Sequence, residues 1–284
     1  MINKMRLLTL SENTVRSAGL LAEWGLSILI ESDEGNILLD AGAGLSTVYN
    51  ADFMGVDLKQ IDKIVLSHGH PDHTGGLREL LRRRKQEIEI IAHPDVFQSK
   101  YGRILDQPDH YVGIPYRREE LESLGAKFTL TTESVKLSPD IITTGAIPMI
   151  TDFEMVDDNL YQQAGAVRER DKLNDDQAVI VKTDFGLVIV LGCAHRGIIN
   201  TIYQSQKLTG MKEVHTVVGG CHLMRATKEQ IDKTVTTLEE LDVRKLGVSH
   251  CTGMPAAMAM ANAFGNRFFF NNAGTITKLP EEKK

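Results

Sequence analysis

The sequence predicts an α/β fold in which short strands alternate with helices and the sheets are mixed rather than wholly parallel. Two observations carry that reading. Apolar runs rich in Val, Ile and Leu recur at 27–32, 36–42, 63–70, 89–94, 178–183, 187–193, 216–221 and 246–251, each about strand length. Helix-like stretches lie between several of them, at 75–84, 197–208, 228–241 and 255–264.

Taken in chain order, the first two runs flank Asp33-Glu34-Gly35-Asn36, which supplies a turn and makes them an antiparallel hairpin. A plain doubly wound sheet therefore fits poorly. The run at 63–70 leads through Thr74-Gly75-Gly76 into a helix that closes on Arg82-Arg83-Arg84-Lys85. Cations there complement the C-terminal end of the helix dipole, so this cluster reads as a solvated helix end rather than a nucleic-acid patch. Residues 93–125 mix Pro, Gly, Tyr and charges without clear periodicity, and 151–176 is acidic with little apolar content. Both segments read as loops laid over a site. The later runs repeat the pattern of strands ending in histidine, which suggests two related halves facing one another. With no clean domain boundary and no short-period repeat, residues 1–284 read as one domain.

Composition narrows the function classes. The 284 residues are 42% hydrophobic and 25% charged, ordinary for a soluble enzyme and ample for a core. A net charge of -6 offers no global attraction to nucleic acid or an anionic membrane, so neither partner is expected. Three cysteines, Cys193, Cys221 and Cys251, make a poor disulfide framework and fit a reducing compartment. The N-terminus lacks an apolar run of signal-peptide length, and no segment approaches the ~20 apolar residues that span a bilayer. The expected location is the cytoplasm, the expected partner is a small molecule, and the oligomeric state is left open.

Of nine histidines, His68, His70, His73, His93, His195, His222 and His250 fall at or just beyond the end of an apolar run. Strand ends present side chains to a shared crevice, and neutral imidazole is the commonest metal ligand. The densest piece, Ser67-His68-Gly69-His70-Pro71-Asp72-His73, holds three imidazoles and a carboxylate within six residues. Nitrogen and oxygen ligands without thiolate in that cluster suit zinc, manganese or iron. Gly69 and Pro71 stop the segment from continuing as a strand, so the side chains can fan out. Asp40, ending a strand, either accepts the far N–H of an imidazole and holds its tautomer or simply caps a turn. His222, in a glycine-rich bend, either serves substrate by orienting it or donating a proton, or is a satisfied core histidine. Trp24 either lines the pocket or packs in the core, the latter being the default. His93 is expected beneath the overlying loop, and His110 and His215 carry no signal.

The stretch HGHPDH, preceded by a strand and followed by a helix, resembles the H-x-H-x-D-H signature of the metallo-β-lactamase superfamily. Further segments resemble one branch of it, the metal-dependent hydrolases similar to 7,8-dihydropterin-6-methyl-4-(β-D-ribofuranosyl)aminobenzene-5'-phosphate synthase. They include Leu10-Ser11-Glu12-Asn13-Thr14, Leu39-Asp40-Ala41-Gly42, Asp175-Asp176-Gln177-Ala178, Gly192-Cys193-Ala194-His195, Gly219-Gly220-Cys221-His222-Leu223 and His250-Cys251-Thr252-Gly253. The matches run nearly end to end.

The resemblance implies an αββα four-layer sandwich with two mixed sheets and a site for two divalent metal ions, zinc first, with manganese or iron as alternatives. It assigns His68 and His70 to one metal, and Asp72 and His73 to the other. The family's usual third histidine is missing from IITTGAIPMIT (141–151), and His195 is its substitute by position. His250 takes the place of the last family histidine, on the second metal. Where the family has a bridging aspartate this chain has Cys193, which is either a small buried hydrophobe or a ligand. The implied activity is hydrolysis of an ester, phosphodiester or similar bond by a metal-activated water, with Asp72 orienting the nucleophile and His222 as a second catalytic candidate. An anionic substrate would suit the positive charge of the metal pair. The alternatives are a transferase or synthase of pterin cofactor metabolism and a non-catalytic metal-binding sensor or scaffold.

Overall fold

The computed structural model describes residues 1–104 and 107–280. Two large mixed sheets dominate. The first runs in the order Ile276–Leu279, Met5–Ser11, Ser27–Ser32, Gly35–Leu39, Lys63–Val65, Ile88–Ala92, Ala126–Leu130. Its first three pairings are antiparallel and its last three parallel. The second runs Phe268–Phe270, Lys245–Ser249, Val214–Gly220, Gly186–Leu191, Ala178–Thr183, Ile141–Thr143, with parallel pairings up to Gly186–Leu191 and antiparallel ones beyond. The hairpin expected at Asp33-Glu34-Gly35-Asn36 pairs Ser32 with Gly35.

Alternation along these strands divides the core into three layers. Ile28, Ile30, Ile37, Leu39, Val65 and Ile91 from the first sheet meet Val179, Val181, Val188, Val190 and Val218 from the second. That cluster packs the sheets face to face. The opposite side chains of the first sheet, Leu29, Leu38, Ile64 and Ile90, pack with Leu77, Leu80, Leu81 and Leu121. These last four come from the helices Leu77–Arg84 and Arg118–Ser123. Ile180, Ile189, Val217 and Leu246 pack outward against Ile198, Ile202, Leu238, Met260 and Phe264. The helices there are Ile198–Thr209, Lys228–Glu240 and Met254–Phe264. Strands buried on both faces explain why the sequence shows continuous apolar runs instead of alternation. The result is an αββα sandwich. Among the described residues no helix is long and apolar enough to cross a membrane.

The segments expected to be loops carry structure of their own. Lys100–Gly102 and His110–Tyr111 from 93–125 join Leu160–Ala164 and Val167–Arg170 from 151–176 in a four-stranded antiparallel sheet. Residues 105 and 106 of the first segment lie outside the described residues. Val167–Arg170 is exposed throughout, so no apolar alternation announced it. The helix expected at 75–84 starts at Leu77, after a short helical turn Pro71–Thr74. At its end Arg83 pairs with Asp52, but Arg84 is buried and donates to the Leu58 carbonyl at 2.6 Å, so the basic run is only partly solvated.

Candidate metal centre

Within three residues of their ends, four strands are followed by a residue in the left-handed region, and all four lie at or beside one site. Asp40 (φ 61°) follows Gly35–Leu39, Ala194 (φ 51°) follows Gly186–Leu191, His222 (φ 47°) follows Val214–Gly220 and His250 (φ 55°) follows Lys245–Ser249. Such backbone is uncommon for residues with a Cβ and persists where the surroundings hold it. Here it turns the chain so that side chains from both sheets converge. The HGHPDH loop lies close against its neighbours: a Cβ on Gly69 would sit 2.4 Å from the Val96 carbonyl oxygen.

The candidate ligands fall into two groups, each with its donor atoms within 4.8 Å of one another. His68, His70 and His195 make one; Asp72, His73 and His250 make the other. Cys193 lies between them, grouped with His68 and His73 on one side and with His250 and Cys251 on the other. Its Sγ is 3.0 Å from His73 Nε2. Asp72 Oδ2 is 3.2 Å from His250 Nε2 and 4.0 Å from His73 Nε2.

Asp40 is buried and accepts hydrogen bonds from the Ser67 amide, the Ser67 hydroxyl and His73 Nδ1, each at 2.7 Å. Ser67 Oγ in turn lies 2.9 Å from His68 Nδ1. One carboxylate therefore orients two imidazoles, directly and through a hydroxyl, by contacts at their Nδ1 atoms. Of the two readings open for Asp40, this geometry selects the tautomer-holding one.

The electrostatics divide the histidines. Burial pushes His70 down to about 3 and holds His68 and His195 well below the usual imidazole range, so these three are neutral. His73 is pushed up to about 9, because the charges of Asp40 and Asp72 outweigh its burial. The Asp72 carboxyl is half-buried, which works against ionisation, yet His73 and His250 hold it below the ordinary carboxylate range.

A divalent cation suits this donor set. His68 Nε2 and His195 Nε2 approach to 3.2 Å, and the buried Nε2 of His70 has no hydrogen-bond partner among the described residues. Three neutral imidazoles, each with its proton on the nitrogen turned away, would present lone pairs to a common point.

A cleft of about 340 Å³ opens over the site. Trp24 is 53% exposed and its ring lies 5.2 Å from that of His250, so it lines the cleft and the core default for it is corrected. Its neighbour Gly25 packs so closely on the Asp72 backbone that the chain here hugs the metal loop while the indole stays outside. His222 also lines the cleft, with its ring 3.9 Å from that of His195. Burial disfavours its charged form, but Asp157, 3.1 Å from Nε2, helps push it up to about 10. His110, Asp157 and Arg225 also line the cleft and were missed in the sequence. The four-stranded sheet carries His110, and no short-range pattern marks such a contact. His93 is buried away from the ligand groups, accepting from the Asp95 amide, and His215 packs on Phe185.

Comparisons with known proteins agree with this architecture. Residues 25–186 match the model of the metallo-beta-lactamase superfamily. The chain is 31% identical, over 98% of both sequences, to the 7,8-dihydropterin-6-methyl-4-(beta-D-ribofuranosyl)-aminobenzene-5'-phosphate synthase of Methanocaldococcus jannaschii. It is similar to the crystal structure of a metal-dependent hydrolase of the beta-lactamase superfamily, with a TM-score of 0.84 and 24% identity over 98% of this chain and 100% of that one. The metallo-beta-lactamase fold protein YhfI from Bacillus subtilis aligns with a TM-score of 0.59 and 11% identity over 97% and 99% of the two chains. With two mixed sheets, histidines converging at their edge and a matching family model, the chain belongs to the metallo-beta-lactamase superfamily.

Proposed function

We propose that this chain is a metal-dependent hydrolase of a small anionic ester or phosphodiester. The observation that carries the reading is the pairing of two three-residue donor groups, His68-His70-His195 and Asp72-His73-His250, under one cleft. Each group would hold one divalent ion, with Cys193 between them. When bound, the ions supply Lewis acidity and make water a nucleophile at neutral pH. Asp72 has an ionised carboxylate at the floor of the cleft and would orient the attacking water and take its proton. Trp24 offers a ring face to an apolar part of the substrate. Arg225, exposed at the cleft and in no ion pair with another described residue, would receive an anionic group.

A second reading is favoured by the identity to the M. jannaschii synthase across both chains: a synthase joining a pterin precursor to a ribosylated aminobenzene phosphate. Metal-replete protein assayed on phosphodiester and ester reporters, and separately on the joining reaction, decides between them. Metal-dependent reporter hydrolysis supports the first reading. Joining without hydrolysis supports the second, and inactivity in both at full metal content leaves a metal-binding scaffold. Elemental analysis of the same sample should approach two equivalents; a firm value of one removes the paired site.

A further inference from the structure

The helix Ser46–Phe53 docks through polar side chains and shows its large apolar ones to solvent. On the inner side Ser46 Oγ meets Ser11 Oγ at 2.6 Å, Thr47 donates to the Ala41 carbonyl at 2.7 Å, and Asn50 donates to the Leu10 carbonyl at 2.7 Å. Leu45, Tyr49 and Phe53 recur every fourth residue, which places them together on one side, and they are 64%, 46% and 55% exposed. A surface helix ordinarily has the opposite polarity.

Residues 19–24 extend this face by running beside the helix toward its start. A Cβ on Gly19 would sit 2.6 Å from the Phe53 ring. The Leu21 N–H donates to the Asn50 side chain and the Leu21 carbonyl accepts from it, each at 2.8 Å. Glu23 accepts from the Leu45 and Ser46 amides at 3.0 and 2.9 Å. These bonds set Leu21, 41% exposed, and Trp24 beside the helical stripe. Charge is sparse on this surface. Residues 14–24 carry only Arg16 and Glu23, and Glu23 is turned to the helix start; Ser46–Phe53 carries only Asp52, which pairs with Arg83. Aromatic side chains with little charge are the composition of an interface core, and a contiguous apolar patch marks an interaction site where scattered apolar residues do not.

The size of the patch points to what covers it. An aromatic side chain carries ~150–250 Å², so three at about half exposure present roughly 300 Å², and the two leucines with the small residues between them bring the patch to on the order of 500 Å². Two such patches face to face bury about 1,000 Å² of apolar surface. At an apolar share of ~60–65%, that is the non-polar part of a standard interface of ~1,600 Å². A two-fold axis makes this pairing from one surface, matching apolar side chains to apolar ones. A patch with so little charge has no electrostatic feature that selects a partner of other chemistry.

We propose that this chain is a homodimer in which the helix Ser46–Phe53 and the segment 19–24 of two copies pack across a two-fold axis. Trp24 also lines the cleft, so the second copy borders the cleft mouth on its Trp24 side. The inference is independent of which reaction the cleft performs.

The test uses the full chain loaded with zinc. Sedimentation velocity should show a dimer above about micromolar concentration, since interfaces of this size bind in the micromolar range or tighter. Trp24 is the one tryptophan in the sequence, so its fluorescence reads the same event: acrylamide quenching should fall as concentration rises through dimer formation. Tyr49→Glu puts a charge from each copy into the apolar contact and should raise the dimer Kd at least about 100-fold. Leu45→Ser, which places a favourable residue at the helix start and so protects the fold, should raise it about 10-fold. Leu208→Glu, at an exposed apolar position on the helix Ile198–Thr209, should leave it within about twofold. Zinc content and circular dichroism of all three variants should match the parent. A parent still monomeric at about 100 μM would overturn the inference and leave the face to another partner. A dimer that withstands both Tyr49→Glu and Leu45→Ser, that Leu208→Glu dissociates, or that forms with no change in Trp24 quenching would place the interface elsewhere and overturn it as well.

Discussion

Asp40 and His73 are joined by a buried 2.7 Å hydrogen bond, and the same carboxylate oxygen accepts from Ser67 Oγ, which lies against His68. One residue from the first sheet thus orients a candidate ligand from each metal group. Losing it frees two rings to rotate. Asp40→Ala is expected to lower zinc affinity about 10- to 100-fold while the fold persists, the range found for partners of metal-binding histidines. Competition with a chromophoric chelator measures this, and an affinity within twofold of the parent would rule the role out.

The metal loop was legible because its donors are local: three histidines and an aspartate in six residues need no tertiary information. His195 and His250 were legible because each follows a strand whose apolar run is clear. Asp157 and His110 were not, since they reach the cleft from within or beside a sheet whose strands show no apolar alternation, two of them exposed throughout. The helix Ser46–Phe53 went unread for a related reason. Its buried face is Ser46, Thr47, Val48, Asn50 and Ala51, and the Asn50 amide group donates to the carbonyls of Leu10 and Leu21. A helix that docks by hydrogen bonds leaves no 3.6-residue apolar stripe.

Lys100 ties the inserted sheet to the metal loop. It is 1% exposed and donates to Asp171 at 2.7 Å and Asp175 at 2.9 Å, while Asp175 also accepts from the Gly69 amide at 2.8 Å. Lys100→Met removes the cation and leaves two buried carboxylates facing each other. Breaking a buried ion pair from one side costs about 3–5 kcal/mol. Urea unfolding should show a loss of that order, and a change below about 1 kcal/mol would mean the carboxylates find other partners.

Glu154 predicts a pH dependence of stability. It is buried and accepts from the amides of Ile199 and Asn200 at 2.8 Å each, at the start of the helix Ile198–Thr209. Burial pushes its carboxyl up from 4.5 to about 7 although those donors favour the ionised form. Between these values the native state holds a proton that the unfolded chain has released, so this group's contribution falls as pH rises from about 4.5 to about 7 and is level above. At about 1.4 kcal/mol per unit the change is on the order of 3 kcal/mol. Glu154→Gln stays neutral throughout and should lose that part of the slope. Urea unfolding of parent and variant at pH 5 and pH 7.5 reads the difference, and parallel slopes would sink the assignment.

Asp72 carries the sharpest test of catalysis, because its carboxylate is asked both to hold metal and to serve the attacking water. Its Oδ2 faces His250 Nε2 at 3.2 Å and its side chain lines the cleft. Asn preserves the shape and one oxygen donor while removing the charge, so Asp72→Asn should lower kcat far more than metal content. General-base contributions are typically ~10²- to 10⁴-fold, roughly 3 to 5 kcal/mol of barrier. Thermal stability should change little, since the residue sits in a short turn at the cleft and not in any of the three apolar clusters. A scaffold would show only a modest fall in metal affinity, with no turnover to lose. A synthase would lose its joining reaction from a parent that never hydrolysed the reporters. Metal content, melting temperature and turnover measured on one preparation separate these outcomes, and undiminished turnover at full metal occupancy would remove Asp72 from the chemistry.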